Sequence, residues 1–323
     1  MVAIEGNLMR GGEGEQVLEA LVAARLLDRQ EGKVCFRHPW LRAFLAEAEQ
    51  RPREASGTGY WEGKMVLGLT GNIAVGKSTV LEMLETLGAT AVDADALVHQ
   101  LREPGAPGYW AVIGRLGKEV LQPDGRIDAR KLAERAFRDR EVLAQLEQIF
   151  RPLVVAEVER IVESSACRVF VVEAIKLLEG GLKDRVDMVW VVDAPREQQI
   201  RRLVASRGLT PEQAIARVEA QNPQAEKLAQ ADVVIRNVGD LGATWQQVLE
   251  AWSEVLHRLF DTGWLDEKLV ETYVAVSVEQ AGVALPVAVA WQGLTRLAGR
   301  AGSGNNIPVS EAVAILAAGD DAA

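Results

Sequence analysis

The eight residues Gly71-Asn72-Ile73-Ala74-Val75-Gly76-Lys77-Ser78 constrain this chain more than any other feature. They match G-x-x-x-x-G-K-[ST], follow a short apolar run at 65–69, and precede helical periodicity over 78–87. Glycines at those positions let the backbone wrap so that its N–H groups point into one concavity. That concavity and the following helix N-terminus take phosphate oxygens. Lys77 then places positive charge on the β- and γ-phosphates, and the Ser78 hydroxyl can hold Mg²⁺. Gly71 through Thr79 are therefore the expected cradle for the phosphates of a nucleotide. A plain glycine-rich turn is the bland alternative, and the strand-then-helix setting argues against it.

Further β-rich runs at 90–92, 169–172, 188–192 and 233–235 alternate with helical stretches. Such alternation predicts a parallel sheet covered by helices on both faces. In such a sheet, ligands bind outside the C-terminal ends of the strands. The run Ala91-Val92-Asp93-Ala94-Asp95 is expected to place two carboxylates at that edge, on one face of the strand. A carboxylate there can take the proton of an attacking hydroxyl and orient it toward the γ-phosphate. Asp93 or Asp95 can also cap a helix over 96–101, and the two roles are compatible. No N-K-x-D element follows, and no four-residue apolar run ends in an Asp-Glu pair. The chemistry is that of a small-molecule or nucleotide kinase rather than a GTPase or a motor.

Four stretches, in order, resemble the dephospho-coenzyme A kinase family over about residues 65–252. They are GLTGNIAVGKSTV from Gly68, DADALVHQL from Asp93, LQPDGRIDARKL from Leu121 and ADVVIRNVG from Ala231. The resemblance implies an α/β P-loop kinase: a parallel sheet covered by helices, a helical substrate-binding insertion at about 96–165, and a lid. It implies transfer of a phosphoryl group from ATP to the ribose 3′-hydroxyl of dephospho-CoA, the last step of coenzyme A synthesis. It makes Asp95 the general base, Lys77 the stabiliser of the transferring group, and Ser78 a Mg²⁺ ligand. Asp93, Arg130 and Lys131 fall on the substrate side, although Arg130 and Lys131 also read as a solvated helix face. Arg202 and Arg207 become the lid arginines. Asn237 comes to the adenine, with a turn role as its alternative.

Some positions depart from the family pattern. Arg151-Pro152 stands where His-Pro is usual. Glu173-Ala174-Ile175-Lys176-Leu177-Leu178 stands where Asp-x-Pro-Leu-Leu is usual, and Ser206-Arg207-Gly208 shifts the lid arginine by one. Another P-loop kinase, of the shikimate type, and an NTP-binding regulatory switch are the competing readings.

The 323 residues carry 46 acids against 36 bases, a formal net charge of −10. That balance argues against broad nucleic-acid or anionic-membrane binding. The apolar stretch at 273–291 holds Glu279 and Pro286, a poor bilayer span. A soluble, cytoplasmic protein is expected, with its oligomeric state open. The length fits two or three domains. We read a fragment at 1–50, a linker at 51–63, the kinase-like domain at 64–264 and an extension of unknown role at 265–323. In the first, a helix over 15–27, a hairpin about Glu31-Gly32 and a helix over 39–49 resemble the rear half of a winged-helix unit without its front helices. Its mixed charges favour a packing or partner module over DNA contact. The extension reads as a strand over 270–278 and a helix over 309–318. Cys35 and Cys167 have neither disulfide nor zinc spacing and are expected to be buried thiols.

Overall fold

The computed structural model describes residues 13–46, 61–300 and 306–317; most of the expected linker, 51–60, lies outside them. The chain begins with α1 (Glu13–Ala23), a hairpin of β1 (Leu27–Gln30) and β2 (Lys33–Phe36), and α2 (Pro39–Ala46). Next come β3 (Met65–Thr70), α3 (Lys77–Thr86), β4 (Thr90–Asp93), and the helices α4 (Ala94–Leu101), α5 (Pro107–Leu116), α6 (Ala129–Arg138) and α7 (Arg140–Ser164). Then follow β5 (Val169–Glu173), β6 (Met188–Asp193), α8 (Arg196–Arg207), α9 (Pro211–Glu219), α10 (Gln224–Leu228) and β7 (Val233–Arg236). The last elements are α11 (Leu241–Asp261), α12 (Glu267–Gln280), α13 (Val287–Arg300), β8 (Asn306–Pro308) and α14 (Val309–Ala317). The described residues form two compact units, one of 61–85 and 89–240, the other of 13–46, 86–88, 241–300 and 306–317.

The first unit is built on a five-stranded sheet in the order β4-β5-β3-β6-β7, every pair parallel. Because helices cover both faces, its central strands are apolar throughout rather than alternating. All six residues of β3 are buried. Val66, Phe170 and Val172 share one core with Val154, Val158 and Val162 of α7. The chain passes from β3 outward to β4, returns to β5, and then crosses to β6 on the other side of β3. The crevice where the winding reverses opens at the C-terminal ends of β3 and β5, the place where such sheets bind ligands. The expected insertion is the α4–α7 bundle, with its own core of Tyr109, Val112, Leu116, Leu132 and Phe150. The lid segment is α8 and α9. Gly208, at φ 60°, ends α8, and a capping box of Thr210 and Gln213 starts α9.

In the second unit, β8 pairs antiparallel with β2, Val34 opposite Ile307. The predicted hairpin is present, and its third strand comes from the far end of the chain in the order β1-β2-β8. The predicted helix over 309–318 is α14. The strand expected over 270–278 is instead part of helix α12. Val270, Tyr273, Val274, Ser277 and Val278 are all buried, an i, i+3, i+4, i+7, i+8 stripe. Burial of that stripe overrides the strand preference of its valines. The thiol expectation is also corrected: Cys35 is only partly buried and Cys167 is exposed. Cys167 lies in the turn before β5, where its N–H donates to Ser165 Oγ at 3.2 Å.

Leu316 of α14 is fully buried, and a Cβ on Gly293 of α13 would come within 2.8 Å of its Cδ2. Leu316→Ala is expected to destabilise this unit by about 2–5 kcal/mol. Hydrogen exchange checks it: amides of 27–36 should lose protection while those of 169–173 keep theirs.

Candidate active site

The loop between β3 and α3 is shaped by close approach. A Cβ on Gly71 would lie 2.5 Å from the Val192 carbonyl oxygen, a backbone atom that cannot yield. Gly76 takes φ 96°, and a Cβ there would meet Asn237 Nδ2 at 2.0 Å. Arg202 of α8 donates to the carbonyls of Ala74 at 3.1 Å and Val75 at 2.8 Å, and to that of Asn237 at 3.1 Å. Asn237 Nδ2 donates to the Val75 carbonyl at 2.9 Å. In a trans peptide C=O and N–H point opposite ways. Pulling these carbonyls toward Arg202 therefore turns the amides of Val75 and Gly76 to the other side. On the preceding turn, the amides of Asn72 and Ile73 donate to Gln224 Oε1 at 3.1 Å and Gln221 Oε1 at 2.7 Å. The first turn of α3, from Lys77, adds the free amides of a helix start. This cradle, closed to any Cβ, fits the phosphates of a nucleotide.

Lys77 runs back along the loop, with its side chain 10% exposed and Nζ 3.9 Å from Glu173 Oε1. It also donates to the Gly71 carbonyl at 3.1 Å. Burial pushes its pKa down, while Glu173 and Asp95 pull it up. The acids meet there because β4 and β5 are parallel and in register, Asp93 opposite Glu173. Burial raises the Glu173 pKa, Lys77 opposes the rise, and Asp93 and Asp95 add to it.

The two expected carboxylates differ in kind. β4 ends at Asp93, whose Oδ1 accepts from the Ala96 amide at 2.8 Å and caps α4. Asp95 is therefore not on the strand, as its spacing suggested, but in the first turn of α4, because the Asp93 cap starts the helix at Ala94, two residues before the expected start. Solvent reaches Asp95. Desolvation by the surrounding protein still raises its pKa, and Asp93 raises it further. The Ile175 N–H, Lys77 and His99 draw it back.

A cavity of about 270 Å³ opens beside Asp95, walled by Val98, Phe150 and Val154 and edged by Glu147, Arg151 and Lys176. Glu147 accepts from Lys176 and Arg151, both at 2.8 Å. The hydrogen bond from Lys176 holds its pKa down.

The remaining expected residues are spread around this centre. Ser78 is exposed at the start of α3, beside Thr79. Arg207, at the end of α8, is near enough to Lys77 to lower its pKa. Arg202 and Asn237 both fasten the loop. Arg130 pairs with Glu134 at 3.2 Å and Lys131 with Asp128 at 4.0 Å, on the exposed side of α6; neither lines the cavity. Two residues carried no signal in the sequence. Glu147 sits within a long charged helix. Lys227 follows a polar turn, yet is buried with its Nζ 2.9 Å from the Ile175 carbonyl.

Arg202→Met leaves three carbonyls without their cationic donor. It is expected to raise KM for ATP about tenfold or more. Arg202→Lys should recover only part, since an ammonium cannot reproduce the fork. Initial rates at varied ATP check both.

Comparison with known proteins agrees with this geometry. A family model for dephospho-CoA kinase matches residues 65–242. A dephospho-CoA kinase of Carboxydothermus hydrogenoformans is 41% identical over 187 residues, 57% of this chain and 91% of that protein. One of Symbiobacterium thermophilum is 43% identical over 190 residues, 58% of this chain and 80% of the relative. The crystal structure of TT1252 from Thermus thermophilus superposes with a TM-score of 0.54 at 33% identity, covering 60% of this chain and 98% of that one. The β3–β7 unit has the P-loop kinase fold, and the chain belongs to the dephospho-CoA kinase family.

Proposed function

We propose that residues 64–264 transfer the γ-phosphoryl group of ATP to the ribose 3′-hydroxyl of dephospho-CoA, giving CoA and ADP. The observation that carries this is the junction of cradle, cation and base on one sheet edge. Lys77 ties the Gly71–Gly76 loop to Glu173 and feels Asp95, and Asp95 opens into the apolar-walled cavity. The 3′-oxygen attacks the γ-phosphorus as its proton passes to the Asp95 carboxylate. The bond from the γ-phosphorus to the bridging oxygen breaks, and ADP leaves. Lys77 and Arg207 spread the charge of the transferring group. Arg202 and Asn237 act through the loop they hold, rather than on the phosphates. Ser78, at the head of α3, would hold Mg²⁺ as a hard oxygen donor, and the ion would supply positive charge against the nucleotide phosphates. Arg130 and Lys131 serve the substrate only if α6 shifts from its present ion pairs.

Among the described residues, no helix is long and apolar enough to cross a membrane. Together with the net charge of −10, this supports a cytoplasmic enzyme without nucleic-acid partners. We assign the second unit a packing role. The pairing of β8 with β2 supports a single winged-helix-like unit drawn from both ends of the chain.

The test is ADP release with Mg-ATP and dephospho-CoA, shikimate or AMP as acceptor. Selective turnover of dephospho-CoA is expected, and Asp95→Asn should lose about 10²–10⁴-fold of it. The base works ionised and its pKa is raised. Activity should therefore climb with pH through a limb above the usual carboxylate range and fall below it. Turnover of shikimate or AMP instead would reassign the acceptor. ATP binding without turnover of any acceptor would favour the switch reading.

A further inference from the structure

Lys227 is 4% exposed, on the short helix α10. Its Nζ donates to the Ile175 carbonyl at 2.9 Å. Thr70, the last residue of β3, donates its hydroxyl to the same carbonyl at 3.3 Å. Burying an ammonium is costly, and an apolar side chain of the same length would fill the space. Glu179 is near enough to favour the charge, and Lys77 feels it; its hydrogen bond goes to a backbone carbonyl, and the position of that carbonyl explains why.

Ile175 lies in the turn that leaves β5. β5 runs beside β4 with Glu173 opposite Asp93, which sets this turn alongside the start of α4. Ala174 and Lys176, on either side of Ile175, line the cavity together with Asp95. The Ile175 N–H lies near enough to the Asp95 carboxylate to draw its pKa down. The Ile175 side chain itself is 40% exposed, so this residue contributes chiefly its backbone. The family pattern has proline here, which has no N–H; in this chain the donor exists.

We infer that Lys227 and the Ile175 backbone are positioning residues for the base: Lys227 and Thr70 clamp the Ile175 carbonyl, and the turn so held presents the Ile175 N–H to Asp95. The inference rests on Asp95 being the base. The other charged groups around that carboxylate and its cavity are Asp93, His99 and Arg102 near or on α4, Lys77 on α3, Glu173 and Lys176 on or after β5, and Glu147 and Arg151 on α7. All of them remain in the variants below, Asp95→Asn included.

The experiment is the pH dependence of kcat/KM, with kcat and KM for both substrates and a melting curve, for Ile175→Pro, Ile175→Leu, Lys227→Met, Lys227→Arg and Asp95→Asn. Ile175→Pro removes one donor from a carboxylate. It should move the acid limb upward by about one pH unit, and Ile175→Leu should restore it. Lys227→Met should lower kcat about 10- to 100-fold, with both KM values within about twofold of the parent; Lys227→Arg should recover much of the loss. An unmoved limb in Ile175→Pro overturns the inference. So does a Lys227→Met variant whose defect lies in KM for dephospho-CoA, since Lys227 would then bind substrate directly. If Lys227→Met melts early, the limb of Ile175→Pro decides alone. If Asp95→Asn keeps both its rate and its limb, the base assignment fails, a result distinct from failure of the clamp.

Discussion

The turn between β3 and α3 must bring backbone amides to a phosphate without any side chain in the way, and most of the first unit is arranged around that demand. A Cβ on Gly71 would meet the Val192 carbonyl and one on Gly76 would meet Asn237, so neither position of the loop admits a side chain. Its carbonyls are held by Arg202 from α8 and Asn237 from beyond β7. Its early amides are held by Gln221 and Gln224. These partners lie more than a hundred residues downstream of the loop. A peptide turned this way is stable only while each outward carbonyl has a donor, because an unpaired buried carbonyl costs about 1–3 kcal/mol. The sheet order satisfies this by placing β6 and β7 on the side of β3 from which these donors come.

The same parallel register concentrates charge. Asp93 and Glu173 end neighbouring strands opposite each other, and Asp95 follows within the first turn of α4. Asp93 and Asp95 raise the Glu173 pKa, Asp93 raises that of Asp95, and Lys77 opposes both rises. Each of these like charges therefore has its own role. Asp93 is committed to an amide, Glu173 to Lys77, and Asp95 remains directed at the cavity. Of the three, only Asp95 lines it.

Local patterns made the strands, the cradle and the hairpin legible in the sequence, since each depends on residues within a few positions of one another. Asp95 was misplaced because strand and helix differ only by where the Asp93 cap starts the turn. Val270 to Val278 alternates enough for a strand, yet it also carries a helical stripe, and burial of that stripe decides the outcome. Arg202, Asn237 and Lys227 were beyond reach in a different way. Each acts on a backbone carbonyl of a distant segment, and a carbonyl leaves no mark in the sequence. Arg202 could be named as functional, yet not as a loop fastener. The pairing of β8 with β2 joins the two ends of the chain, so neither end could be understood from its own residues.

The departures from the family pattern are not independent of one another. Lys176 and Arg151 each bring a cation to the rim of the cavity, from a turn and from a helix, and both meet Glu147 at 2.8 Å. Their side chains are 61% and 46% exposed, and exposed pairs of this kind stabilise a fold by only about 0–1 kcal/mol. Their value therefore lies elsewhere than in holding α7 to the sheet. Asp95 lines the same cavity, and a cation settling on it would lower its pKa and weaken it as a base. Glu147 supplies both cations with another carboxylate. Positive charge then stays at the rim of the cavity while Asp95 keeps its own charge for its proposed role as base.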